Sequence, residues 1–476
     1  MRDLSVWIER HARRTPDAVA LRFEGRMITY ADLDVRTQGL AAWLCARGVG
    51  GGDRVALLST NNPDYLALLF ACARLGAMLV PLNWRLAPAE IGQILDDAEP
   101  GLFLAERDFA ASTGGRGAVW LDELDAGGGE APCNGSPEAP VLLVYTSGTT
   151  GRAKGAVLTQ QALAWNAVNS QHMHDMTSRD RVLTFLPMFH VGGLNIQTLP
   201  ALALGAEVVL RRRFDPGDAL DAIARERPTL SLVVPAVMKA MIEHPRWTDC
   251  DLSSLRMVGA GSSIVPVDLI RAFHARGLPV AQVYGATETG PIAIYQTLAD
   301  AMANEGSTGQ PALHCEARLE DGEILIKGPN VATGYWRNDA ATRESFVDGW
   351  FRTGDLGRVD ANGNWWVVER KKDMIISGGE NVYPAEIEAA LSEIVGVADC
   401  AVVAAPDARW GEVPVAFVVV RPGAALDEAA LRGHLEGRLA RFKWPKAFVF
   451  RGELPRNAMG KVQRFALRAQ AREGRE

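Results

Sequence analysis

"VLLVYTSGTTGRAKGA", Val141 to Ala156, sets an apolar run against a loop of glycines and hydroxyls that carries a single lysine. The run Val141 to Tyr145 predicts a strand. The loop after it contains Gly148, Gly151 and Gly155, which permit positive φ and close approach. Consecutive backbone N–H groups can then converge on an anion, and Thr146, Ser147, Thr149 and Thr150 add hydroxyl donors. Such a loop is suited to phosphates. It is not a Walker A loop, because Arg152 and Ala153 separate Gly151 from Lys154. The bland alternative is an ordinary Gly/Ser/Thr surface turn, and the loop alone does not decide between the two.

Working outward, short apolar runs alternate with helical patterns, as expected for strands joined by crossover helices in largely parallel sheets. "RVLTFLP", "AEVVLR", "LSLVVP", "LRMVGAG" and "VAQVYGA" read as the strands. Between them, "DPGDALDAIARER" opens on an Asp-Pro cap and "VPVDLIRAFHARG" ends in glycine. The reading is a doubly wound α/β body. The stretch "ASTGGRGAVWLDELDAGGGEAPCNGSPEAP" is expected to be a surface excursion. After Lys372 the pattern changes to a smaller unit with its own helices and strands, which places a domain boundary close to Arg370.

Composition narrows the function. A chain of 476 residues, 48% of them apolar, has room for two or three cores. Its net charge of -7 lacks the basic footprint that nucleic-acid binding requires, so no nucleic-acid partner is expected. The six cysteines have neither metal-ligand spacing nor disulfide density, which makes reduced thiols and a cytoplasmic location the expectation. "YLALLFACARLGAMLVPL" is broken by Arg74 and Gly76 and reads as a buried helix leading into a strand, not as an integral membrane segment.

Six further motifs follow the loop in order: "PMFHVGG", "GAGSS", "YGATETG", "GWFRTGD", "ERKKDMIISGGENVYP" and "PRNAMGK". Together they resemble the adenylate-forming superfamily of acyl-CoA synthetases, aryl-acid CoA ligases, luciferase and adenylation domains. The resemblance spans nearly the whole chain. It implies a large N-terminal domain, residues 1–369, of stacked, mostly parallel α/β sheets with a small β-barrel-like part. A hinge at 370–373 would join it to a small mobile α+β lid, residues 374–476.

The implied reaction joins a carboxylate to ATP as an acyl-adenylate, with Mg²⁺, and then passes the acyl group to CoA. On this resemblance Thr146, Ser147, Gly148, Thr149, Thr150, Gly151 and Lys154 hold the phosphates, Thr287 touches the α-phosphate and Glu288 ligates Mg²⁺. Tyr284 and Gly285 with Gly259 and Ala260 receive the adenine, and Asp355 with Arg370 the ribose. His190 gates the site, while Gly192, Gly193, Asn195, Val234, Ala236, Gly261 and Ile292 surround the acyl group. Lys461 is the implied catalytic lysine, Lys372 the pivot, and Ser377, Gly378, Gly379 and Glu380 shape the CoA tunnel.

The chain has only eight lysines among 50 basic residues, so a lysine kept at Lys154 or Lys461 points to a need for a compact ammonium. Among the pocket residues there is no lysine or arginine, which predicts an acid with a neutral tail: a medium- or long-chain fatty acid, or a flat aryl acid such as ferulate. Two alternatives remain open: transfer of the acyl group to a carrier protein, and a catalytically silent binding relative. A homodimer is a possible assembly.

The sequence also departs from the family pattern. Ala153 stands where proline is usual, and "STGQPALHCEARLEDGEILIKGPN" looks short, so the barrel-like part is expected to be trimmed. "RRRF", Arg211 to Phe214, reads as a solvated turn, with the CoA 3′-phosphate or an anionic membrane as the other possible contact.

Overall fold

Strands buried on both faces need apolar residues at every position, and the runs singled out above form such a sheet. In the computed structural model, which describes residues 2–125, 127, 129–146, 153–262, 265–370, 374–455, 462 and 464–473, the chain divides into two compact units. The first comprises Met1–Trp84, Leu95–Tyr145 and Gly155–Glu369; the second comprises Arg85–Ile94, Thr146–Lys154 and Arg370–Glu476.

Two large sheets organise the first unit. In one, six strands run parallel in the order Val280–Tyr284, Met257–Ala260, Leu230–Val233, Arg181–Thr184, Glu207–Leu210 and Val19–Phe23. Antiparallel strands flank them at both edges. All four residues of Leu230–Val233 and of Met257–Ala260 are buried. The crossover helix Pro216–Glu226 starts as its sequence suggests, with Pro216 in its first turn and the Asp215 carboxylate accepting from Asp218 N at 2.9 Å.

The other sheet has seven strands and contains the run before the glycine-rich loop. Its order is Gly334–Tyr335, Lys154–Thr159, Pro140–Thr146, Met78–Leu82, Arg54–Leu58, Leu102–Ala105 and Val119–Trp120. Helix Pro63–Leu75 is buried over most of its length and feeds strand Met78–Leu82, so the most apolar stretch of the chain is core. No helix among the described residues is long and apolar enough to cross a membrane.

The expected surface excursion is only partly one. Within it Val119–Trp120 pairs with Leu102–Ala105 at the sheet edge, and Leu121 and Leu124 are buried. Two residues of strand are too few to leave a periodic signal.

The last part of the first unit is a five-stranded antiparallel sheet. In it Glu316–Glu320 and Glu323–Lys327 form a hairpin that packs beside Trp350–Val359. The hairpin turns through Asp321 and Gly322, at φ +49° and +80°, the two consecutive positive values that a two-residue turn requires. The stretch expected to be trimmed therefore still builds a complete hairpin.

The second unit is α+β. Its long antiparallel pair, Val397–Asp407 with Gly411–Val420, sends alternate side chains to two cores. Ala401, Val403, Val415 and Phe417 meet Leu467 and Ala471 of helix Arg464–Glu473. Val402, Ala416 and Val418 meet Ile387 and Leu391 of helix Pro384–Ser392, and Leu431 and Leu435 of helix Glu428–Leu435.

This unit also encloses an ion triad. Lys443 Nζ lies 2.5 Å from Glu90 Oε1 and 2.7 Å from Glu386 Oε1. The second Glu90 oxygen accepts from the backbone N–H groups of Ala440, at 2.7 Å, and Ala87, at 2.8 Å.

Candidate active site

In open α/β sheets, ligands bind beyond the carboxyl ends of the strands. Four neighbouring parallel strands each deliver a candidate segment at that end. Arg181–Thr184 leads to His190 and helix Val191–Asn195, and Leu230–Val233 leads to Val234 and Ala236. Met257–Ala260 leads to Gly261, and Val280–Tyr284 leads to Gly285, Thr287 and Glu288. Residues far apart in sequence are thus brought to one edge of one sheet.

The glycines among them have different jobs. A Cβ on Gly285 would lie 1.7 Å from Pro291 O, on Gly193 2.3 Å from Pro187 O, and on Gly261 2.6 Å from Val283 O, so these three permit close backbone packing. Gly192 differs. Its Cβ would sit at ordinary contact distance, 3.5 Å from Ser262 Oγ and 3.8 Å from His190 Nδ1. The absence of a side chain there leaves space beside the imidazole.

One hydrogen bond ties two proposed nucleotide residues together, and another orients the proposed metal ligand. Tyr284 O–H donates to Asp355 Oδ2 at 2.9 Å, which brings the adenine and ribose candidates into contact. Asp355 is 7% exposed, and its backbone N–H donates to Thr353 Oγ1 at 3.1 Å. Glu288, 8% exposed, accepts from Tyr335 O–H at Oε1, 2.7 Å away, while its carbonyl accepts from Ala332 N at 2.7 Å. Tyr335 is fixed in turn by pairing opposite Ala156, on the strand that leaves the glycine-rich loop.

Asn195 acts as a brace. It is buried, its amide donates to Gly290 O at 3.0 Å, and its carbonyl accepts from the Asn166 amide at 2.7 Å. Asn166 also accepts from Ile292 N at 3.0 Å, which holds Ile292 in place. Asn330 donates to the carbonyls of Thr289, at 2.6 Å, and Ile292, at 2.9 Å. The floor behind Gly259 holds Gln197 and His174, and burial pushes the His174 imidazole down to about 4, so it is neutral.

Tyr335, Asn166 and Asn330 were not singled out in the sequence. Tyr335 stands 47 residues from its carboxylate and Asn166 stands 126 from Ile292, with no local pattern to reveal either link.

At the glycine-rich loop, Thr146 Oγ1 donates to Lys154 O at 3.4 Å. Ser147, Gly148, Thr149, Thr150 and Gly151 lie outside the described residues, as do Lys372 and Lys461. Arg370 ends strand Trp365–Arg370. In the second unit, Ser377 and Glu380 flank the turn at Gly378 and Gly379, and Glu380 pairs with Arg85.

Residues 8–336 match the AMP-binding enzyme family, and residues 386–461 match the AMP-binding enzyme C-terminal domain. The chain belongs to the AMP-binding enzymes. Among these AMP-binding enzymes, an indoleacetate–CoA ligase of Aromatoleum aromaticum is 49% identical, with 98% of each chain covered. A feruloyl-CoA synthase of an Amycolatopsis species is 42% identical, again with 98% of each covered. The solved structure of an o-succinylbenzoate CoA synthetase double mutant from Bacillus subtilis, bound to a product analogue, matches with a TM-score of 0.89 at 33% identity. That match covers 97% of this chain and 98% of the other. The family is thus the adenylate-forming superfamily of acyl- and aryl-CoA ligases, and the sequence motifs identified it correctly.

Proposed function

We propose that this AMP-binding enzyme is an ATP-dependent, AMP-forming ligase that joins an aryl acid to CoA through an acyl-adenylate. The observation that carries the reading is the convergence of the Tyr284–Asp355 and Tyr335–Glu288 pairs with the His190–Gly193 segment at one sheet edge. A nucleotide-binding end and an acyl end thereby share one site.

The chemistry follows from charge. Adenylation brings a carboxylate up to a phosphate, so oriented donors and cations must neutralise the charge that develops. Thr146 through Lys154 would surround the phosphates, Thr287 would donate at the α-phosphate, and Lys461 would bridge the two anions. Asp355 and Tyr284 would hold ribose and adenine. Glu288 suits Mg²⁺: it is one buried carboxylate oriented by Tyr335, and no cluster of three or more potential metal ligands exists among the described residues. Mg²⁺ binds through one or two carboxylates together with substrate phosphates, and when bound it offsets phosphate charge. For the second step Lys372 would pivot, and Ser377 to Glu380 would face the thiol.

An aryl acid is favoured by the space beside His190 at Gly192, by the absence of lysine and arginine from the proposed pocket, and by full-length relatives named for indoleacetate and ferulate. The test is to incubate the protein with ATP, Mg²⁺ and indoleacetate, ferulate, benzoate, laurate or malonate, with and without CoA, and to follow pyrophosphate, AMP and thioester. An aryl acid is expected to give the highest kcat/KM. Laurate or malonate as best substrate refutes the pocket assignment, and adenylate formation without any thioester favours a carrier-protein acceptor.

A further inference from the structure

The buried floor behind Gly259 contains an acceptor with nothing to accept. Gln197 is 2% exposed and uses both amide hydrogens: Nε2 donates to Ser231 O at 3.1 Å and to His174 Nε2 at 3.0 Å. Neither contact can be served by the other end of the amide. Ser231 O is a carbonyl and only accepts. His174 Nδ1 lies 2.9 Å from Ser170 O, another carbonyl, so Nδ1 carries the ring hydrogen of this neutral imidazole and Nε2 is a bare acceptor. The amide is thereby locked with its nitrogen on both partners. Its buried oxygen, Gln197 Oε1, meets no donor among the described residues. Buried polar atoms are nearly always hydrogen-bonded, so an open acceptor beside a binding site points to a ligand or a water.

The position of this acceptor is set by the acyl side of the site. Gln197 follows His190 through helix Val191–Asn195 and Ile196, which keeps helical angles of φ -77° and ψ -44°. At a rise of 1.5 Å per residue the separation is about 10 Å, comparable to the span from the carboxylate of an aryl acid to the far side of its ring. A Cβ on Gly259 would come within 3.3 Å of Gln197 Nε2 and 3.4 Å of His174 Nε2. The face of strand Met257–Ala260 at Gly259 is thus turned toward the amide, and no side chain of that residue stands over it. Leu232 Cδ1, 3.0 Å from the same point, is apolar, so the amide brings hydrogen-bonding capacity to apolar surroundings.

We propose that Gln197 Oε1 accepts a hydrogen bond from a donor on the substrate ring, a phenolic O–H or a ring N–H at the end distant from the carboxylate. Gln197 is then a specificity-determining residue that selects donor-bearing aryl acids over purely apolar ones. The inference rests on the aryl-acid reading above and extends it by naming what the ring must carry. No bond is made or broken at this contact. It acts because a substrate without a donor leaves the buried oxygen unpaired, and the same logic disfavours fatty acids, whose tails bring none. A neutral amide can accept without a counter-charge, which suits a proposed pocket that contains neither lysine nor arginine.

The experiment measures kcat/KM for thioester formation with two matched pairs. One is 4-hydroxycinnamate against cinnamate; the other is indole-3-acetate against benzothiophene-3-acetate, in which sulfur replaces the N–H. Wild type is expected to prefer the donor-bearing member of at least one pair by about tenfold, the size expected for leaving a buried acceptor unpaired. Gln197→Met keeps the length of the side chain and removes the acceptor, so that ratio should fall to about one. The ratio does not depend on how much of the protein is folded. If Gln197→Met fails to fold, Gly259→Ala, whose methyl lies against the amide, should lower the same ratio.

A ratio of about one for both pairs in wild type means that only water meets Oε1, and overturns the proposal. So does a preference that survives in Gln197→Met, or in Gly259→Ala where that variant decides, because the donor then has another partner. Equal loss with both members of a pair in Gln197→Met, the ratio staying as in wild type, reduces Gln197 to a packing role and also overturns it. A wild-type enzyme that makes no thioester with any acid defeats the ligase reading, and laurate above every aryl acid defeats the aryl reading; either takes the proposal with it. Aryl-acid turnover without a donor preference defeats the proposal alone.

Discussion

Replacing Lys443 with methionine keeps the length of its apolar stem and removes the only cation of the buried triad with Glu90 and Glu386. The side chains of Lys443, Glu90 and Glu386 are 4%, 7% and 15% exposed, so little solvent is present to screen the loss. Burial, reinforced by the neighbouring Glu90 charge and only partly countered by Lys443, already holds Glu386 at about 7. Removing one partner of such a buried ion cluster costs about 3–5 kcal/mol.

The pH dependence is the sharper test. A carboxyl whose pKa is raised on folding contributes stability that is present at low pH and lost as pH rises through its folded value. Between pH 6 and 8, wild type should lose about 1.4 kcal/mol through Glu386, since about one pH unit's worth of protonation is given up around 7. Without the lysine, Glu386 stays protonated across that window and the loss becomes about 2.7 kcal/mol. The destabilisation by Lys443→Met should therefore widen by about 1.4 kcal/mol from pH 6 to 8. Urea titrations of the full chain at both pH values, read by hydrogen exchange in strands Val397–Asp407 and Gly411–Val420, measure it. A destabilisation below about 1 kcal/mol, or one equal at the two pH values, would refute the reasoning.

Three further outcomes are expected. Tyr335→Phe removes the donor that orients Glu288 and should lower adenylation about tenfold while raising the Mg²⁺ concentration needed, seen in pyrophosphate release against Mg²⁺; an unchanged Mg²⁺ dependence counts against the metal role. Lys461→Ala should slow adenylation by about 10² to 10³ yet spare thioester formation from synthetic acyl-adenylate, and near-normal ATP–pyrophosphate exchange in this variant removes Lys461 from the mechanism. Lys372→Pro should keep adenylation within about tenfold but lose most transfer from preformed adenylate, with Lys372→Ala retaining both; equal loss in the two half-reactions rejects the pivot.

Much of the first unit could be read from sequence because its central strands are buried on both faces, which leaves unbroken apolar runs such as Leu230–Val233. Asp215 marked a helix start by accepting from Asp218 N, and Pro216 by bringing no N–H that would need a partner in the first turn. Helix Gln160–His174 shows where such reading stops. It buries Gln160, Asn166, Asn169, Ser170 and His174 alongside Ala162, Leu163, Ala167 and Met173, so its inward face mixes polar and apolar residues and its apolar periodicity is blurred. The reason lies in tertiary structure. Gln160 accepts from Leu4 N at 2.7 Å, Asn166 donates to Asn195 O, and Ser170 donates to Ile196 O at 2.5 Å. Those partners lie at helix ends, Leu4 before helix Ser5–Arg14 and Asn195 and Ile196 at the end of helix Val191–Asn195, whose terminal N–H and C=O groups lack intrahelical partners and are satisfied by side-chain amides and hydroxyls. The link between Tyr335 and Glu288 and the Lys443 triad, whose members are up to 353 residues apart, escaped for the same reason.

Because His190, Val234, Gly261 and Tyr284 hang from the ends of four separate adjacent strands, the sheet itself sets the distances between them. At about 4.8 Å per strand, the row is about 14 Å wide whatever the loops contain. A change in one loop need not displace the next. The segment beside Gly192 can drift toward a new acid while Tyr284 and Asp355 keep their grip on each other, so the architecture lets substrate range evolve one strand end at a time.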